Sequence, residues 1–385
     1  MKPQLSRVAF RSLCAFVAAV VLGPGAAFAQ QMNIFAPPNL CVAMDGITPE
    51  VGTRDSVGIQ RYCHGHGAIF RVSEKGVFTE VHAFTGADGS GPRGRLLIGR
   101  DGNYYGATTG GGKRNVGVVF QMTPKGVVRT IYDFAATVPD AIVQTPTGNL
   151  IQGTDGNLYG VTIGVGLQSK AGVGSGTVFR LTLNGQLTIL HTFYMPDGIY
   201  PYMGLAQGPD DSLYGTTSQG GPGNNGTVFN VAMNGFYKTI YSFAQADGAP
   251  VTNLKTSPVD GTVYGMTQKE VFAISPLGVL RVIARFRDEN AWATGGANLT
   301  TVGGGFIDYS DGTLVGVMAM TPSPSPLDGK LFQLTIADGS MRTLHEFKKG
   351  EGVPTGDLTV GNGQMLYGTN GAVFSIHYPQ VPTAH

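Results

Sequence analysis

The stretch LIQGTDGNLYGVTIGVGLQSKAGVGSGTVFRLTLNGQLTILHTF, Leu150 to Phe193, decides the fold. Its apolar alternation predicts four short strands, Leu150–Thr154, Asn157–Thr162, Gly176–Leu183 and Gln186–Phe193, because alternate side chains of a strand face opposite sides. The first two meet at Asp155-Gly156 and the last two at Asn184-Gly185. Such dipeptides favour two-residue hairpins with positive φ at both central residues. No helical period longer than two turns interrupts this order, so the unit reads as one four-stranded antiparallel sheet.

The unit recurs along the chain. Its second strand carries Tyr105-Gly106, Tyr159-Gly160, Tyr214-Gly215, Tyr264-Gly265, Val315-Gly316 and Tyr367-Gly368, in steps of 54, 55, 50, 51 and 52 residues. The third strand carries Phe120, Phe179, Phe229, Phe272, Phe332 and Phe374, with an early copy at Phe70. Units close on Phe84, Phe134, Phe193, Phe243, Phe286 and Phe347. A period near 50 built from four-stranded sheets predicts an all-β propeller over residues 40–377. Counting from Phe70 gives seven blades; six is the alternative if residues 30–66 pack outside the ring. The last unit starts at Leu358 and ends after Ile376 without a fourth strand. A strand near Asn33–Ala36, in the segment 30–39, would complete it and remove an exposed edge.

The phrase is distinctive in LAQGPDDSLYGTTSQGGPGNNGTVF, Leu205 to Phe229, with Tyr214, Gly215, Thr216, Thr217, Gly220, Gly221 and Val228. It resembles the GloVer tandem repeat of bacterial "choice-of-anchor" proteins over about residues 67–376. The resemblance implies an exported, surface-associated or periplasmic repeat protein and supplies no agreed activity. Members are named for different C-terminal anchors; the polar tail, residues 378–385, carries no anchor signal. The strand phrasing is also similar to Kelch-type blades, which adds architecture only.

Of 385 residues, 59 are Gly, 42% are hydrophobic and only 13% are charged, with formal net charge +1. Disorder wants low hydrophobicity and high net charge, and nucleic-acid binding leaves a basic footprint; neither fits. Lys2, Arg7 and Arg11 precede an apolar core, Leu13 to Leu22, and the small-residue site Ala27-Phe28-Ala29. That layout predicts a signal peptide over residues 1–29, with Gln30 as the mature start, and hence a periplasmic or extracellular protein. No later apolar run is long enough for a transmembrane anchor.

Cys14 leaves with the leader, and Cys41 and Cys63 remain. An oxidising compartment favours a disulfide between them. Free thiols, or a metal held by Cys63-His64-Gly65-His66 in a loop, are the alternatives. No metal or other cofactor is expected.

Short turns emerge on one face of the ring. The second–third loops (Gly110–Gly117, Gly164–Gly176, Gln219–Gly226, Ala319–Gly329) and the blade-to-blade crossings emerge on the other, which is the expected working face. Trp292, Tyr194, Tyr200 and Tyr202 lie in crossings there and are the candidate binding residues, although rings of this kind also wedge between blades.

Three motifs fail on context. Gly221-x-Gly223-x-x-Gly226 precedes a strand rather than a helix, and Gly110-Gly111-Gly112-Lys113 lacks the rest of a P-loop. Asp210-Asp211 occupies the tight turn that Asp-Gly fills elsewhere. Asp88, Asp197 and Asp247 recur in the crossings without the spacing of a calcium loop. His82, His191 and His345 precede a unit-ending Phe by two residues, where other units have Tyr132 and Tyr241. A position filled by His or Tyr reads as packing. No catalytic residue is named. The expected function is a non-enzymatic binding or scaffold propeller for a glycan or protein, the alternative a secreted polysaccharide hydrolase or lyase.

Overall fold

The computed structural model describes residues 32–35, 44–134, 143–165, 175–286, 306–309, 311–319, 327–348, 351–352, 354, 358–361, 365–369 and 372–377. They form seven antiparallel sheets arranged as a seven-blade propeller. Six blades follow the chain, at residues 44–83, 90–133, 143–192, 206–242, 255–285 and 306–348. The seventh is composite. Thr359–Gly361, Met365–Thr369 and Val373–His377 are joined by Met32–Phe35, which pairs with Val373–His377 and sets Ile34 opposite Phe374. Residues 44–66 lie within blade 1, which excludes the six-blade count.

Seven apolar clusters among the described residues fill the seams between blades. The cluster of Ile47, Phe70, Val72, Tyr367 and Val373 joins blade 7 to blade 1 and closes the ring. Sequence repetition has a steric cause here. Gly215 sits opposite Phe229, and a Cβ on Gly215 would stand 2.3 Å from the Phe229 ring. The ring crosses the glycine, so the repeat spells Gly on the second strand and Phe on the third.

The hairpin turns differ from the expectation. The Gly153 N–H donates to the Asn157 carbonyl, the Gly156 N–H donates to the Gly153 carbonyl, and Gly156 takes φ 83°. This is a three-residue loop, a type I turn followed by a left-handed glycine. Asp155 stays at negative φ, and its carboxylate accepts the Asn157 N–H. Gly185 repeats the device at φ 89°. In blade 4 Asp211 occupies the glycine's place at φ 61°, while Asp210 accepts the Ser212 N–H. The Asp210 carboxylate therefore serves the turn, while the Asp211 carboxylate accepts the Thr154 hydroxyl of blade 3 at 2.8 Å.

Inner strands also begin earlier than the alternation indicates. Ser90–Ile98, as far as Arg95, and Val143–Pro146 fall in the expected crossings 85–95 and 135–149, yet each pairs with the second strand of its own blade. The ladder is irregular between Arg93 and Leu97, where Gly94 has φ 75°. A Cβ on Gly94 would stand 2.3 Å from Asn149 Oδ1. Inner strands of neighbouring blades converge so closely that a side chain at this point has no room.

Candidate functional site

The crossings deliver the chain to the inner strands, so residues at the starts of those strands ring the axis on the crossing face. Two asparagines staple neighbouring blades there. Asn149 Oδ1 accepts the Arg95 N–H at 2.8 Å, and Asn253 Oδ1 accepts the Gly204 N–H at 2.6 Å.

Within this mouth four side chains from three parts of the ring converge. Asp45 begins blade 1, Arg61 follows its second strand, Arg93 lies on the inner strand of blade 2, and Tyr202 leads into blade 4. Arg61 donates to Asp45, which also accepts the Gly94 N–H at 3.2 Å. Arg93 Nε stands 3.9 Å from the same carboxylate oxygen. Arg93 also donates to the Tyr202 hydroxyl, with its guanidinium 4.4 Å from the ring centre. Blades 2 and 4 meet across blade 3 only near the axis, which places the pair at the mouth. Burial works against the charge on Arg61, but Asp45 and Tyr62 together outweigh it and hold the guanidinium above its ordinary pKa. Two cations share one anion, leaving the cluster net positive. Its charged side chains keep 14–20% exposure, so the mouth is partly open.

Of the expected binding residues that are described, Tyr202 alone is brought to this cluster. Tyr194 follows the outer strand of blade 3 and is exposed. Tyr200 adopts φ 57° and ties its crossing to the next loop, its carbonyl accepting the Ser218 N–H and hydroxyl. Trp292 lies outside the described residues, as do Cys41 and the expected leader. Asp45, Arg61 and Arg93 went unnoticed in the sequence. Their signal was an Arg at 93 where the equivalent positions of blades 3 and 5 carry Thr147 and Val251.

The tempting titratable groups elsewhere are structural. His82 pairs with Asp88 at 2.7 Å, and Tyr241 donates to Asp247 at 3.2 Å. His191 stands 3.3 Å from Asp197 and His345 3.5 Å from Glu351, without hydrogen-bond alignment. The acids also cap their own loops, Asp88 accepting the Thr85 N–H and Asp247 the Ala244 N–H. Recurrence of these residues follows the blade, not chemistry. On the opposite face Tyr105 and Tyr159 donate to Asp101 and Asp155, both at 2.7 Å. Burial, then the bond to Asp101, pushes the Tyr105 phenol up to about 12.

Cys63 is disulfide-bonded. Its sulfur, His64 and Glu80 could draw ligand atoms within 4.8 Å of one another, but the disulfide occupies the sulfur, and His64 pairs with Glu80 at 2.7 Å. His66 turns instead to Ser90 at 3.1 Å. The four-residue motif is thus divided between two directions.

One histidine yields a pH prediction. Burial pushes the His191 imidazole below its ordinary pKa, with Asp197 countering only in part. The unfolded chain takes up that proton near pH ~6.5, before the folded chain does. The stabilisation is therefore complete above that value and is lost as pH falls toward the folded pKa. His191 also stacks on Tyr237 at 3.8 Å and 8°. His191→Phe keeps a ring there and removes the proton, so its melting temperature should fall less between pH 7.5 and 5.5 than the wild type's. Parallel falls would remove His191 as the cause.

Residues 56–174 and 166–378 match the Gloeobacter/Verrucomicrobia repeat family. No curated protein sequence matches the chain. Solved structures share the fold. One is a chain of a mitotic checkpoint complex at 9% identity, covering 94% of this chain and 100% of that one, with TM-score 0.55. A second is a puromycin-hydrolyzing peptidase of Mycobacterium tuberculosis at 12%, covering 91% and 57%, with TM-score 0.53. A third, described as a gluconolactonase, has 13% identity, 93% and 96% coverage and TM-score 0.50. At these identities the likeness is one of fold alone. No helix among the described residues is long and apolar enough to cross a membrane.

Proposed function

The chain belongs to the Gloeobacter/Verrucomicrobia repeat family, and on that premise we propose that it is an exported binding propeller whose ligand is a glycan seated at the axial mouth. The observation that carries this reading is the convergence of Asp45, Arg61, Arg93 and Tyr202 on the crossing face. Fixed hydrogen-bonding groups around a tyrosine ring suit a sugar, which offers hydroxyls at its edge and C–H groups on its face. The net positive charge favours a sugar bearing a carboxylate, because an arginine donates to a carboxylate through two parallel bonds. Binding rather than turnover is supported by the acid inventory. Glycoside hydrolysis generally uses a pair of carboxyl groups, and Asp45 is the one carboxylate among the described residues of this cluster, already engaged by arginine.

The test is a glycan array with residues 30–385, followed by titration of any hit and product analysis. Uronate-bearing glycans should bind, and Arg93→Met and Tyr202→Ala should each weaken binding at least ~10-fold, about 1.4 kcal/mol. Released product would overturn the reading in favour of a hydrolase or lyase. Binding unaffected by both substitutions would move the site away from the mouth.

A further inference from the structure

The seam between blades 5 and 6 departs from the pattern of the others. In blades 1, 2, 3, 4 and 6 a ring stands two residues before the unit-ending Phe and meets it edge-on: His82 with Phe84, Tyr132 with Phe134, His191 with Phe193, Tyr241 with Phe243 and His345 with Phe347, at 4.9–5.2 Å. In blade 5 that position is Ala284. It pairs with Val271 as His191 pairs with Val178. At the seam between blades 3 and 4 the space is filled by His191 stacked on Tyr237; the equivalents here are Ala284 and Met341, from the matching registers of the outer strands. The closing contact is also looser, with Phe286 and Phe332 at 6.4 Å against 4.8 Å for Phe193 and Phe229.

A cavity of about 880 Å³ occupies this place, within the ~300–1,000 Å³ range of small-molecule sites. Ala284, Phe286, Met318 and Phe332 give it an apolar wall, and Lys330 lines it as a cation, with Asp338 in the turn beyond Thr335 as a lining acid. Lys330 pairs with Glu346 at 3.7 Å, an acid that is half exposed. Arg342 turns its guanidinium to Gln333, on the face of the sheet that packs toward blade 7. Lys330 therefore retains donors for an anion.

We propose that this seam is a second binding site, independent of the axial mouth, for an amphipathic monocarboxylate. The apolar body takes the volume vacated by the missing ring, and the carboxylate meets Lys330. The ring found at other seams is what the ligand replaces.

Decanoate and the uncharged decanol are the probes, titrated calorimetrically into residues 30–385. Decanoate should bind saturably with the larger affinity. Ala284→His restores the ring that three other seams carry, and should raise the melting temperature while weakening decanoate at least ~10-fold. Ala284→Leu, which fills the space without a polar atom, should do the same to binding if the histidine disturbs folding. Lys330→Met should weaken decanoate and leave decanol unchanged. Absence of saturable decanoate binding, or binding indifferent to both Ala284 substitutions, would overturn the proposal. Equal loss of both probes in Lys330→Met would overturn the carboxylate's place.

Discussion

A chain lacking residues 1–35 should melt well below one lacking residues 1–29 and should associate in solution. Met32–Phe35 supplies the outermost strand of blade 7 and, among the described residues, is the segment whose backbone pairs the start of the chain with its end. Met32 packs on the cluster between blades 6 and 7, and Phe35 on the cluster between blades 7 and 1. The latter fit is close, since a Cβ on Gly76 would stand 2.2 Å from the Phe35 ring. Full burial of two such side chains is worth about 3–6 kcal/mol; Met32 and Phe35 are half-buried, so their loss removes less than that. It also bares the edge of Val373–His377, a template for pairing with another chain. Thermal melts and size-exclusion chromatography of the two proteins test this. Identical melts and elution would mean that three strands suffice for blade 7.

The architecture was legible because the same steric problem is solved in each blade. Phe over Gly, and a glycine at the end of most tight turns, leave a written trace at a fixed period. What resisted reading was geometry that does not repeat. A type I turn with one left-handed glycine and a hairpin with two share the spelling Asp-Gly, and only the backbone separates them. The inner strands were cut short for a related reason. Arg93 and Gly94 break the alternation, so a bulged strand reads as a loop. The axial cluster was hidden for a third reason. Asp45, Arg61, Arg93 and Tyr202 come from three blades, and nothing local relates Arg93 to a residue 109 positions later. The tyrosine was reachable from its crossing; its partners were not. Conversely, the recurrent histidines and aspartates were visible and proved to be packing and loop caps.

Truncating the unit-ending phenylalanine should cost unequal amounts at two seams. Phe193→Ala should lower stability by about 3–5 kcal/mol, the usual range for a buried ring removed from a packed core. Phe193 is 0% exposed and faces Phe229 at 4.8 Å, His191 at 4.9 Å and Tyr237 at 6.0 Å. Those neighbours are held by their own blades, so the void cannot collapse and the dispersion contacts are lost outright. Phe286 occupies the same place in blade 5 without a ring at Ala284, and stands 6.4 Å from Phe332 beside the 880 Å³ cavity. Much of what packing supplies at Phe193 is absent there, so Phe286→Ala should cost less than half as much. Denaturant midpoints of the two variants, compared at a common slope, read the difference. A ring so loosely held is the opposite of what ring closure requires of a propeller, and the seam that tolerates it is the one whose wall carries Lys330. Equal penalties would mean that the seam between blades 5 and 6 is as tightly packed as its neighbours, and would remove the space on which a ligand there depends.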